Sequence, residues 1–213
     1  MYMKKSMIKG IVSVIFASAL LCSCDLLDLT PKAAVTVKTY FKNESELELY
    51  ANRFYYDILP GGSGIYKEIG DNMIWIPLAS EVSLTRTVPE KGGGWSFEAL
   101  RHINFLLENI GNCPDAAAVR KYTGVAKFFR AHYYFNMVKR FGDVPWLDHV
   151  PGTDDPDLYK ARDSRDVVMG KVIEDIDEAI RLFKKENSTK DLYHVTWWTA
   201  MALKSRICLF EGT

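Results

Sequence analysis

AAAVRKYTGVAKFFRAHYYFNMVKRFG, residues 116 to 142, is the longest unbroken helical pattern in the chain. Tyr122, Ala126, Phe129, Tyr133, Met137 and Phe141 recur at spacings of 4, 3, 4, 4 and 4, so they share one helix face. Tyr134 and Val138 widen that stripe. Arg120, Lys121, Lys127, Arg130, Lys139 and Arg140 supply charge, which the period places mostly away from the stripe. Gly142 stands where a left-handed residue would stop the helix, and Pro145 follows soon after. A stripe this wide and aromatic requires other helices laid upon it.

The flanking segments supply them. Upstream, residues 96 to 110 form a helix with Leu100, Ile103, Leu107 and Ile110 inward, and Gly111 ends it. The link Asn112-Cys113-Pro114 is short enough to make a helical hairpin with the central helix. Further upstream, Asn43 and Glu46 are placed as a capping box for a helix with Leu47, Tyr50, Phe54 and Ile58 on one face, ending before Pro60. Residues 60 to 94 are punctuated by glycine and proline and read as a long loop region. Downstream, residues 143 to 162 are a Pro- and Asp-rich loop. Asp163 or Ser164 then caps a helix to Lys185, with Met169, Ile173, Ile176, Ile180 and Phe183 inward. Its outer face offers Lys171–Asp175 and Asp177–Arg181 as i, i+4 pairs. Thr196 caps the last helix, with Ala200, Leu203, Ile207 and Phe210 inward. The fold class is therefore all-α: helical hairpins in succession, joined by long irregular loops.

The N-terminus has a different character. Residues 1 to 23 carry Lys4, Lys5 and Lys9, then an apolar run from Ile11 to Leu21. That run is short of the ~20 residues a spanning helix needs, and it reads as a lipoprotein signal peptide. Leu21-Cys22-Ser23-Cys24 is similar to a lipobox with Cys24 at +1, the residue that takes the lipid. Cys22 is the poorer choice because bulky Leu21 would precede the cut. The alternative is a plain secretory signal. Residues 24 to 42 form a tether without helical period, and 43 to 213 the helical domain.

Lys+Arg and Asp+Glu number 27 each. Removing the signal leaves a mature net charge of about −3, so no basic excess points to nucleic acid. Cys113 and Cys208 are far apart in sequence, and spacing does not say whether they meet. His102, His132, His149 and His194 have no metal-ligand spacing such as HExxH. Gly92-Gly93-Gly94 precedes Trp95 and is no phosphate loop, and GxSxG is absent. Nothing here supports an enzyme, a metal or a bound cofactor; the one expected group is the lipid on Cys24.

KFFRAHYYFNMVKRFGDVPW, residues 127 to 146, resembles the core signature of the SusD/RagB family of surface glycan-binding lipoproteins, which carries an FLRAxYYFxLVxxFGxVP run. SCDLLDLTP, residues 23 to 31, is similar to the start of mature members, and VTWWTAMALKSRICLFEGT, residues 195 to 213, resembles their later ALKARxxLY helix. The resemblance implies tetratricopeptide-like units. It also implies an outer-membrane location on the lipid anchor, a glycan ligand, and a SusC-like TonB-dependent transporter as partner. Family members continue well beyond Thr213, so the expectation is the N-terminal portion of such a protein.

Sugar rings have apolar C–H faces that stack on aromatic rings, while amides, carboxylates and guanidinium groups bond the hydroxyls. Tyr66, Asp71, Asn72, Trp75 and Arg86 fall together in the 60 to 94 loop and are the candidate glycan-binding residues. Trp75 has apolar neighbours in Met73, Ile74, Ile76 and Leu78, which favour reading it as a plug of the core beneath the loop. Trp95 and Trp146 sit at helix edges and are expected in the core. Trp197 and Trp198 are adjacent, so at most one faces inward. The competing reading is a lipid-anchored helical adaptor that binds only protein, or a truncated, non-functional family member.

Overall fold

The computed structural model describes residues 40–61, 76–78, 80, 82–90, 92–183 and 193–212, which belong to a unit running from Val37 to Thr213. Among the described residues five α-helices carry it: α1 (Glu44–Ile58), α2 (Glu98–Asn109), α3 (Ala116–Phe141), α4 (Arg165–Leu182) and α5 (Trp197–Gly212). Short 3₁₀ turns follow α2 and interrupt the loop between α3 and α4. Among the described residues the only β-pairing is an isolated bridge between Val144 and Asp163. No described helix is long and apolar enough to cross a membrane.

Local chemistry sets the helix ends. The Asn43 side chain accepts the Glu46 N–H at 3.0 Å. The Glu46 carboxylate returns the bond at 2.8 Å, but to the N–H of Lys42. This is a capping box displaced by one residue. Asp115 caps α3 by accepting from the N–H groups of Ala117 and Ala118. Gly142 closes α3 at φ 70°, a conformation that costs glycine little.

α3 is buried on nearly every side. Its stripe residues Tyr122, Ala126, Phe129, Tyr133 and Met137 are all buried, and so are Val125, Phe128, Ala131 and Phe135 on other faces. The reason is topological: α3 packs against α1, α2, α4 and α5, most extensively against α4. A helix so enclosed has no solvent face along its middle, which corrects the reading of Arg130. Arg130 is buried between helices. Its guanidinium forks onto Asp175 of α4, Nε to Oδ2 at 2.6 Å and Nη2 to Oδ1 at 2.9 Å. Lys127 Nζ also reaches Asp175, at 2.8 Å.

That fork overturns the surface pairs expected on α4. Asp175 faces inward, and Lys171 pairs with Glu174 instead. Arg181 pairs with Glu178, while Asp177 meets Lys204 of α5. Along α2, Leu106 rather than Leu107 is fully buried, because the helix leans on α1 and α3 at once. α2 begins at Glu98 rather than at residue 96. α4 stops at Leu182, where Phe183 turns extended; residues 184 and 185, expected in that helix, lie outside the described residues. Phe41, placed by sequence in the tether, is fully buried against Tyr50 and Phe105. Cys113 is buried, Cys208 is exposed, and both are free thiols.

Candidate functional site

A groove of about 570 Å³ opens between the first half of α2, the segment before it, and the loop from Pro145 to Arg162. Volumes of roughly 300–1,000 Å³ suit small ligands. Trp95, Phe97, Leu100, Leu147 and Leu158 give it apolar walls. Arg101, Asn104, His149, Lys160 and Arg162 bring polar groups to the same lining.

The central helix holds the far wall in place. Arg130 Nη1 donates to Asn104 Oδ1 at 3.2 Å. Asn104 is itself buried, and its Nδ2 donates to the carbonyls of Leu147 and His149 at 2.9 and 3.0 Å. Tyr134 accepts the Leu147 N–H at 2.6 Å, and its ring stacks on Trp146 at 4.3 Å. A chain of fully paired polar groups thus runs from α4 through α3 and α2 to the loop. Without it the backbone of residues 145–149 would need other partners.

The base of the loop is clasped separately. Asp163 donates its N–H to the Val144 carbonyl, and its carboxylate accepts the Trp146 N–H at 2.7 Å. Burial would raise the Asp163 pKa, but the Trp146 N–H and Lys160 outweigh it and hold the carboxyl below its ordinary value. At the tip, Asp155 caps the 3₁₀ turn Pro156–Tyr159. His149 Nε2 lies 3.0 Å from Asp155 and 3.8 Å from Asp157. Hydrogen bonds to Asp148 and Asp155 raise the His149 pKa. His149, Asp155 and Asp157 bring three potential metal-ligand atoms within 4.8 Å of one another, a grouping that their sequence spacing did not announce. In this structure they act as an ion-paired pin on the loop.

The near wall depends on glycine. Gly92, Gly93 and Gly94 take φ of 74°, 64° and 87° in succession, a run that other residues enter only with strain. At Gly94 a Cβ would also meet the Arg140 guanidinium at 3.1 Å. This turn delivers Trp95, whose ring meets Phe97 at 5.4 Å and Phe141 at 4.9 Å, both edge-on. The Arg162 guanidinium lies 4.7 Å from the ring centroid.

Trp146 is core, as the sequence suggested, at 9 % exposure. Trp95 is not wholly core: it is half-buried and lines the groove. Trp198 is exposed and Trp197 half-buried. Of the residues expected to bind glycan, Arg86 lies in an exposed loop stretch and is not part of the groove lining. Tyr66, Asp71, Asn72 and Trp75, and the lipid site Cys24, lie outside the described residues. Sequence reasoning missed the groove because its residues are scattered over 95–104 and 145–162. The available signal was Trp95 beside three glycines, opposite a loop rich in proline and charge.

This arrangement suits a polyhydroxylated ring: the Trp95 indole for its apolar face, and the guanidinium donors of Arg101 and Arg162 for its hydroxyls. Residues 95–209 match a family model described as SusD-like, starch-binding, associating with outer membrane. A SusD-like protein of Bacteroides fragilis superposes with a TM-score of 0.62 at 22 % identity, over 81 % of this chain and 36 % of its own. A SusD-like carbohydrate-binding protein of the same organism gives 0.59 at 17 % identity, over 81 % and 38 %. The chain therefore spans little more than a third of the solved structures it matches, and they share its helical fold. Comparison with curated proteins gives no match. On the family match, which covers more than half of its residues and all of the groove, this chain belongs to the SusD-like family.

Proposed function

We propose that this protein captures oligosaccharide at the outer membrane, in the groove beneath Trp95, and passes it to a SusC-like TonB-dependent transporter. The observation that carries the reading is the groove itself: an aromatic wall and convergent polar groups in a space of sugar size, within the span matched by a starch-binding family. Attachment is through lipid on Cys24, and the Tyr66, Asp71, Asn72, Trp75 and Arg86 loop borders either the same saccharide or the transporter. The chemistry is binding rather than turnover. A protein-binding role is favoured by one observation, the exposed apolar residues Trp198, Met201 and Leu209 of α5.

One experiment addresses these points together. The full-length protein, Trp95→Ala, Trp75→Ala and Cys24→Ser are compared by cell fractionation, saccharide titration and thermal melting. Trp95→Ala is expected to weaken binding by about 1–2 kcal/mol, the scale of a lost stacking platform, with a smaller change in melting. Cys24→Ser should move the protein to the soluble fraction with binding intact. Saccharide binding that persists unchanged in Trp95→Ala sinks the groove assignment, and loss in Trp75→Ala alone moves the site to the loop.

A further inference from the structure

We infer that the groove is built for an anionic saccharide, one bearing a carboxylate or a sulfate, rather than for a neutral glucan. The inference rests on the groove being the saccharide site. Its observation is a pair of guanidinium groups in the lining, Arg101 and Arg162, that no carboxylate among the described residues engages.

The lining contains two carboxylates, Glu98 and Asp157, and neither lies within ion-pair distance of the two arginines of the lining, Arg101 and Arg162. Glu98 lies 3.6 Å from Arg53 of α1 and 3.9 Å from His102. Asp157 lies 3.8 Å from His149. Lys160 is also committed, with Asp163 and the Trp146 carbonyl each 3.0 Å from Nζ. Two guanidinium groups differ. Arg101 makes one long bond, 3.5 Å, to the Pro151 carbonyl. Arg162 lies over the Trp95 ring, 4.7 Å from its centroid. No carboxylate among the described residues lies within ion-pair distance of either. Each therefore retains most of its five donors, in the planar fork that matches a carboxylate or a sulfate.

Placement makes this more than a surface charge count. Both groups line one partly enclosed groove, where low-dielectric walls strengthen an ion pair relative to open solvent. Arg162 lies over the Trp95 ring, so a sugar docked against the remaining surface of that indole would present an acidic substituent within its reach. A third guanidinium, Arg140, lies 5.4 Å from the ring of Phe141, which itself meets Trp95 edge-on, and it adds positive field nearby. A neutral sugar would offer these forks single hydroxyl oxygens in place of a paired anionic acceptor.

The test is titration of the full chain with three probes: tetragalacturonate, which is carboxylated, a carrageenan tetrasaccharide, which is sulfated, and neutral maltotetraose. An acidic probe is expected to bind at least about tenfold more tightly than maltotetraose, with the gap closing as sodium chloride is raised. Which acidic probe wins identifies the anion. Arg162→Gln and Arg101→Gln should each erase much of that preference with melting unchanged, since both side chains are exposed. Arg181→Gln, far along α4, should leave it intact. Maltotetraose binding equal to that of the acidic probes, lost in Trp95→Ala, would overturn the anionic preference while leaving the saccharide site standing. A preference that survives both arginine substitutions overturns it too. Failure of all three probes to bind would remove both readings.

Discussion

The middle of α3 and the rim of the groove both place arginine beside an aromatic ring, and they use it in opposite ways. At the α3 midpoint Arg130 lies 5.2 Å from the Trp146 ring and is buried, with its donors taken by Asp175, Asn104 and the Asp148 carbonyl. At the rim Arg162 lies 4.7 Å from Trp95, exposed and with no carboxylate among the described residues at ion-pair distance. The first arrangement engages all three guanidinium nitrogens in holding helices and loop together; the second leaves its donors to what lies outside the chain. A buried charge must be paired because desolvation costs several kcal/mol per ion. An exposed one is under no such constraint, so its lack of a partner costs nothing in the free protein.

The largest effect that separates the two sites follows directly. Arg130→Ala leaves the Asp175 carboxylate buried with Lys127 as its remaining cation, and should cost about 3–5 kcal/mol, enough to unfold an ordinary domain. Arg162→Ala should change stability by less than about 0.5 kcal/mol. Denaturant melts of both variants make the comparison. If Arg130→Ala melts like the parent, the network from α4 to the loop is not what supports the groove wall. The double replacement Arg130→Met with Asp175→Leu should recover most of the loss in stability. It would still remove a donor to Asn104, and so should loosen the groove.

How much of this was legible in the sequence divides along the same line. The α3 stripe was readable because six side chains repeat at helical spacing, and every one but half-buried Phe141 is buried. The caps at Asn43 and Gly142 were readable because each rests on chemistry within a few residues. Arg130 was misplaced because helical period assigns charge outward, and it has no knowledge of a second layer of helices covering that side. Asp175 went with it: an i, i+4 partner was visible in sequence, whereas the true partner lies 45 positions away. The groove was illegible for the same reason, since α2 and the 145–162 loop meet only through the fold.

A second measure of enclosure along α3 is acid sensitivity. His132, half-buried, lies one turn from Asn136, which approaches its ring at 3.2 Å. Burial, assisted by the positive charges of Lys139 and Arg206, lowers its pKa from 6.5 to about 4. Because the folded value lies below the unfolded one, the unfolded chain takes up the proton first as pH falls. The contribution is fully present above about pH 6.5 and is lost between 6.5 and 4, amounting to about 3 kcal/mol at most. His149 on the groove rim behaves oppositely. Its bonds to Asp148 and Asp155 raise its pKa, so its small contribution is present in acid and fades as pH rises through the raised value. Urea midpoints across this range should slope downward into acid, and His132→Asn should flatten the limb above pH 4. A slope unchanged by that substitution would assign it to another group.

The smallest expected effect tests where the α4 charges point. Sequence spacing pairs Lys171 with Asp175; the structure pairs Lys171 with Glu174 at 3.0 Å and turns Asp175 inward. The Lys171–Glu174 pair is solvent-exposed, with 47 % and 67 % of the two side chains accessible. Water and salt screen it, and it must also hold two long side chains still. Lys171→Ala should therefore change stability by no more than about 0.5 kcal/mol. Asp175→Ala should cost several kcal/mol, since it strands the Arg130 guanidinium. A double-mutant cycle between 171 and 175 should give a coupling near zero, and one between 130 and 175 a coupling of about 1–3 kcal/mol. The two cycles share one residue and differ only in which side of α4 its carboxylate faces. Strong coupling to Lys171 would restore the pairing expected from sequence and return Asp175 to the surface. It would also leave Arg130 buried without its carboxylate, a state that desolvation makes costly enough to exclude both results at once.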